Sequence, residues 1–294
     1  MKKIALATIL GVCASFPADA QKKPSPGPTN PELAYLRASG SGADLYLANE
    51  DGTGAYLLHS GVIGQIFDVS ARDKRQAAIN ENGLKLVNWT VGGSGSISVT
   101  RTTVPTGSNR GESPAFSRDG TRLAYFDPSD SRIHIYDPVN FVEVTSWPSR
   151  FAWSITWYAD GSGLVVESYN AAGGNSGLWE YDLNGVESPG PFLVEGRFAG
   201  IEASRTPGSR ELLVAYEPVG GGPIRISRFN SGAYVGFPLV TYAGAQSYKC
   251  DNSRFIYKAF GANPESSIFY NANGSTSLFS KDSRVRRVRY LKTC

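Results

Sequence analysis

This chain is poor in the residues on which metal binding and catalysis most often draw. It has only two histidines, His59 and His134, and three cysteines, Cys13, Cys250 and Cys294. Neither histidine stands near another histidine or a cysteine at metal-ligand spacing. No D-x-[DN]-x-[DN]-G stretch is present, which excludes a calcium loop of that type. There is no Gly-x-Ser-x-Gly elbow to set a serine nucleophile on a strand-to-helix turn, and no Ser-x-Asp-x-Gly-x-x-Trp box of the sialidase kind. Charge of one sign is also scarce. The net charge is +3, and it falls to +2 once residues 1–20 are removed. A balance that close to zero favours neither nucleic acid nor an anionic membrane surface. Beyond one N-terminal stretch, no apolar run approaches the length needed to span a bilayer.

What the chain does have is turns. Glycine (33) and proline (17) make up about one residue in six of the 294, which suits a fold that reverses direction every few residues. Between the turns lies a degenerate repeat. Its clearest copy is Ser113-Pro-Ala-Phe-Ser-Arg-Asp-Gly-Thr-Arg-Leu-Ala-Tyr125 followed by Arg132-Ile-His-Ile-Tyr-Asp137. The next is Ile155-Thr-Trp-Tyr-Ala-Asp-Gly-Ser-Gly-Leu-Val-Val166 followed by Gly177-Leu-Trp-Glu-Tyr-Asp-Leu-Asn-Gly185. The anchor positions Asp73, Asp119, Asp160, Pro207 and Asp251 are 46, 41, 47 and 44 residues apart. Short alternating strands at that period are the signature of β-propeller blades.

Five units are whole and one is split. Leu33–Leu36, Asp44–Asn49 and Ala55–Leu58 read as the second, third and fourth strands of a first blade. Val285–Leu291 reads as a strand with nothing after it, and the economical arrangement gives it to that blade as its missing innermost strand. Closure of this kind leaves few free sheet edges. The expected fold is therefore an all-β, six-bladed propeller over residues 32–294, its first blade completed by the C-terminal strand; seven blades would require another whole unit. The Asp-Gly pairs Asp51-Gly52, Asp119-Gly120 and Asp160-Gly161, with Asn184-Gly185 and Asn273-Gly274, are read as hairpin turns. Phe116 and Trp157 on inner strands, and Tyr46, Trp89, Tyr136, Trp179 and Phe269 on third strands, are expected to fill the space between sheets.

Residues 1–20 read as a secretory signal peptide. Lys2 and Lys3 form its positive region, Ile4–Phe16 its apolar region, and Ala18-Asp-Ala20 its cleavage site. Cys13 follows Val12, whereas a lipidated cysteine would follow a small residue. The mature protein is expected to be bacterial, periplasmic or secreted, and free of an integral membrane segment. Residues 21–31 hold four prolines and read as an extended linker. Cys250 and Cys294 fall at the ends of inner strands of neighbouring blades. They are candidates for a disulfide closing a loop of about 45 residues, worth roughly 3–4 kcal/mol.

The motif Phe-Ser-x-Asp-Gly, an apolar strand, then Ile-Tyr resembles the WD40-like (PD40-type) repeat of the TolB family. Phe116–Gly120 with Ile135–Asp137, and Trp157–Gly161 with Trp179–Gly185, carry the likeness. It covers about residues 33–291. In that family an α/β domain precedes the propeller; here only about ten residues separate the expected cleavage site from the first strand. The resemblance implies a periplasmic propeller that binds protein, with an envelope protein or a cell-wall-linked lipoprotein as partner. The protein is expected to be a monomer that takes no nucleic acid.

No catalytic, cofactor-binding or metal-ligating residue is assigned, and no cofactor is called for. The two histidines are read as surface residues. The alternative function is a hydrolase or lactonase with a metal in the propeller channel. Its ligands would come from different blades and leave no linear motif; Asp68, Glu112, Glu167 and Glu202 lie near predicted strand ends. A cluster of arginines, Arg284, Arg286, Arg287 and Arg289, lies at the closing strand. Arg287 and Arg289 share one face and form a candidate patch for an anionic partner, with pairing to acidic groups of neighbouring blades as the alternative.

Overall fold

The computed structural model describes residue 28 and residues 31–63, 67–70, 75–93, 95–106, 111–170, 175–204, 206–241, 243–248, 254–259, 266–271, 276–280 and 285–291. The expected signal segment, most of the expected linker, Arg284 and the cysteines Cys13, Cys250 and Cys294 lie outside the described residues, and the expected disulfide with them.

Every regular element among the described residues is a strand, and the strands form six four-stranded antiparallel sheets. Five of these are meanders of four consecutive strands. The first runs β4 (Asp68–Val69), β5 (Gln76–Asn80), β6 (Leu84–Val91) and β7 (Ile97–Thr103). The second is β8 (Glu112–Phe116), β9 (Leu123–Asp127), β10 (Arg132–Asp137) and β11 (Val142–Pro148). The third is β12 (Ser154–Trp157), β13 (Gly163–Asn170), β14 (Asn175–Asp182) and β15 (Leu193–Glu195). The fourth is β16 (Arg197–Ala203), β17 (Leu212–Glu217), β18 (Arg225–Asn230) and β19 (Ala233–Thr241). The fifth is β20 (Ala243–Tyr248), β21 (Arg254–Ala259), β22 (Ser266–Asn271) and β23 (Thr276–Ser280).

Blades made from one uninterrupted piece of chain therefore number five, not six. The remaining sheet is composite. It joins β24 (Val285–Tyr290) from the far end of the sequence to β1 (Leu33–Ser39), β2 (Gly42–Ala48) and β3 (Tyr56–Val62). Pro31 lies just ahead of β1 and has no amide hydrogen to give to a ladder. The inner edge of β1 is instead paired by β24, with Leu33 opposite Tyr290 and Ala34 opposite Arg289.

The first strand of each sheet, with β24 serving the composite one, faces the centre. These inner strands touch in the order β4, β8, β12, β16, β20, β24 and back to β4, so the ring is closed. The core lies between sheets, and the period-two alternation of each strand divides its side chains between two neighbours. On β5, Ala77 and Ile79 pack toward the composite sheet, while Ala78 packs toward the second meander. On β13, Leu164 and Val166 join Trp157 and Trp179 on one side, and Val165 joins Ile201 and Val214 on the other. Phe116, Tyr136 and Trp89 fill such intersheet layers as well.

The Asp-Gly pairs are turns. Asp119 accepts hydrogen bonds from Ser117 Oγ at 2.6 Å and from the Thr121 amide at 3.1 Å. Asp160 accepts from the Ser162 amide at 2.9 Å. Gly185 has φ +81°, and a Cβ there would meet the Trp147 ring at 2.4 Å, so both the backbone and the packing require glycine.

Candidate functional site

The closing strand carries the charge. A bulge at Arg286 shifts the ladder so that Leu36 opposes Arg287 while Arg37 opposes Val285. Arg287 and Arg289, two residues apart, then share the face turned to the ring axis. They are only 8% and 4% exposed.

Arg289 is tied across the ring. Its Nη1 donates to Glu202 Oε2 of β16 at 2.6 Å, and its Nε lies 3.6 Å from Asp68 Oδ1 of β4. The composite sheet and the sheet of β16 are not neighbours, so this bond spans the axis. Asp68 also uses Oδ2 to accept the Phe116 amide of β8 at 2.8 Å. One carboxylate thus links three sheets, and one guanidinium joins it to Glu202 across the centre. Burial acts against the Arg289 charge and Asp68 acts for it.

Arg287 is held differently. Its Nε, like that of Arg289, is buried without a hydrogen-bond partner, but Arg287 makes no hydrogen bond or ion pair among the described residues. Burial and the nearby Arg289 act against its charge, while Asp68 and Glu167 favour it from beyond hydrogen-bond reach. Glu167, on β13, is 6% exposed. Burial pushes its carboxyl up to about 8, with the Arg287 charge pulling the other way. Glu167 opposes Ser154, the first residue of β12. Arg287 and Glu167 therefore mark the leading end of the ring, where the inner strands begin.

That end carries exposed aromatic rings. Phe151, Trp153 and Tyr169 are 46%, 42% and 50% exposed. They form a row, with Phe151 and Trp153 centred 6.4 Å apart and Trp153 and Tyr169 6.4 Å apart, and Phe151 is rooted edge-on against the buried Phe126 at 5.2 Å. The row borders the channel cluster directly, because the Trp153 amide donates to the Glu167 carbonyl at 3.0 Å. A hollow of about 360 Å³ lies at the other end, between the β8–β9 and β12–β13 hairpins, lined by Arg118, Asp119, Asp160 and Trp157 among others. Its two aspartates serve the turns described above.

The structure brings Asp68, Glu167, Glu202, Arg287 and Arg289 together. Glu112 opens β8 and is half-buried. Arg286 is the bulged residue and is half-buried. Both histidines are buried rather than superficial. His59 lies within β3, where Arg101 Nε donates to its Nδ1 at 2.7 Å and its Nε2 faces Glu81 at 2.9 Å. Burial lowers its pKa, against the pull of Glu81. His134 stacks on Tyr125 at 5.1 Å and lies 3.1 Å from both Glu143 and Asp130. The partners of His59 belong to the next blade, so nothing in its local sequence announces them, whereas those of His134 lie four and nine residues away in its own blade. The exposed aromatic row was also missed, since Phe151 and Trp153 fall in a connection and not at a repeating position. Among the described residues, no three histidine, cysteine, aspartate or glutamate side chains converge as metal donors.

No protein-family model matches the chain, and no curated protein matches it. Solved structures do. TolB from Acinetobacter baumannii superposes with a TM-score of 0.64 at 15% identity, covering 91% of this chain and 68% of that one. A chain of a nidogen/laminin complex gives 0.61 at 13% identity, covering 90% and 100%. A protein from Bacteroides uniformis, provisionally assigned as a 6-phosphogluconolactonase, gives 0.50 at 13% identity, covering 89% and 100%. The shared feature is the fold: this is a β-propeller. The closer likeness to the TolB-type repeat rests on the sequence motifs. No helix among the described residues is long and apolar enough to cross a membrane.

Proposed function

We propose that the protein is a non-catalytic binding propeller of the bacterial envelope, periplasmic or secreted, that takes a protein partner at the leading end of the ring. The observation that carries this reading is the exposed row Phe151, Trp153 and Tyr169 beside the channel. Exposed aromatics of this kind are what protein interfaces use as anchors, because they bury a large area for few frozen torsions. The TolB-type motifs support an envelope protein or a cell-wall-linked lipoprotein as that partner.

A channel hydrolase or lactonase would draw on Asp68, Glu167 and Glu202, the carboxylates that three different sheets bring to the axis. Two of the three are already engaged by Arg289, and a metal would have to displace that arginine. The test is capture from a periplasmic extract with residues 21–294, using the wild type and the Phe151→Ala/Trp153→Ala double variant, with elemental analysis of the same samples. One envelope protein retained by the wild type and reduced at least about tenfold by the double variant is expected. Stoichiometric divalent metal with turnover of a lactone or ester, and no such protein, would overturn the reading in favour of the enzyme.

A further inference from the structure

Arg287 is a buried cation close to the ring axis. It is more than nine-tenths buried, its Nε has no hydrogen-bond partner, and among the described residues it forms no ion pair. A guanidinium stays protonated in a protein interior, so neutralisation is not open to it. Burying such a charge without hydrogen-bonded compensation is costly, and the cost falls when an acceptor arrives. The anions nearby do not fill that role. Asp68 and Glu202 are drawn to Arg289, and Asp68 is further held by the Phe116 amide.

We propose that Arg287 is the receptor for a carboxylate that a protein partner inserts into the leading end of the channel, where the guanidinium fork can meet both of its oxygens. This deepens the binding reading above and rests on it. A carboxylate fits better than a bulky anion because the fork matches two oxygens in one plane. The aromatic row beside the opening would seat the apolar part of the same partner segment. Glu167 lies close enough for its charge to act on Arg287. In its protonated form it is a hydrogen-bond donor to the incoming oxygen, and in its ionised form it repels it. Its carboxyl sits near 8, so the site should accept an anion at neutral pH and lose affinity as pH rises through that value. The other described charges facing this position are Asp68 on β4, Glu202 on β16 and Arg289 on β24.

The experiment is an NMR titration of residues 21–294 at constant ionic strength with three blocked peptides. One carries an internal aspartate, one carries only a free C-terminal carboxylate, and one carries asparagine with an amidated end. Binding by at least one of the first two, and not by the third, is expected, and their ratio tells a side-chain carboxylate from a chain terminus. Arg287→Gln should weaken the acidic peptide by at least about tenfold, with partial recovery in Arg287→Lys. Glu167→Gln should keep the binding and abolish its loss above pH 8. It also provides a second variant should the arginine changes perturb folding. Equal binding of acidic and neutral peptides by the wild type, or undiminished binding by a folded Arg287→Gln, would overturn the inference. Partner capture that depends on Trp153 but is indifferent to Arg287→Gln would reject the carboxylate and leave the platform. Peptide binding without any captured partner would reject the platform instead.

Discussion

Arg289 and Arg287 stand on the same strand and the same face with similar burial, yet Arg289 bonds Glu202 and reaches Asp68 whereas Arg287 bonds neither. The first is part of the closure of the ring, because its partners belong to other sheets. The second is a charge held in place by its neighbours without being used by them. Buried charge in a protein is stabilising only when geometry and hydrogen bonds are both supplied. A position that has burial without bonds marks where stability has not been optimised, and such positions concentrate at sites of function.

Breaking the first half of that contrast should have the largest effect. Arg289→Met removes the guanidinium that bonds Glu202 and reaches Asp68 across the ring, and a loss of about 3–5 kcal/mol is expected in denaturant unfolding. Glu167 should sharpen the contrast through pH. Its carboxyl is raised in the folded state and ordinary in the unfolded one, so between the usual carboxylate range and about 8 the folded state binds the extra proton. Stability should therefore fall as pH rises through that window, by up to about 1.4 kcal/mol per pH unit, and Glu167→Gln should flatten the profile. The smallest effect belongs to Arg287. Arg287→Met breaks no bond, and stability within about 1 kcal/mol of the wild type is expected by the same unfolding measurement. A large loss there would mean that the guanidinium is structural after all.

The repeat was legible because blade packing is local. Asp-Gly turns, alternating strands and large intersheet aromatics recur at each unit, and Asp119, Trp157 and Trp179 act where that pattern puts them. The closing strand could also be read, since a first blade lacking one strand and a last strand lacking a blade point to each other. The cluster on the axis was only half visible. Arg287 and Arg289 alternate in sequence, but their acidic neighbours come from β4, β13 and β16, and no spacing connects these. His59 shows the same limit. Its burial is set by Glu81 and Arg101, residues of the next sheet.

The composite sheet also has a consequence for the order in which the molecule can be made. Strands β1 to β3 are synthesised early, but the inner edge of β1 has no partner until residues 285–290 follow. A pairing between opposite ends of the sequence is the slowest kind to form. Until it forms, an apolar strand edge and the charges that will surround the axis are open to other chains. During synthesis, the protein is therefore most vulnerable at the inner edge of β1, and that vulnerability ends only when β24 arrives.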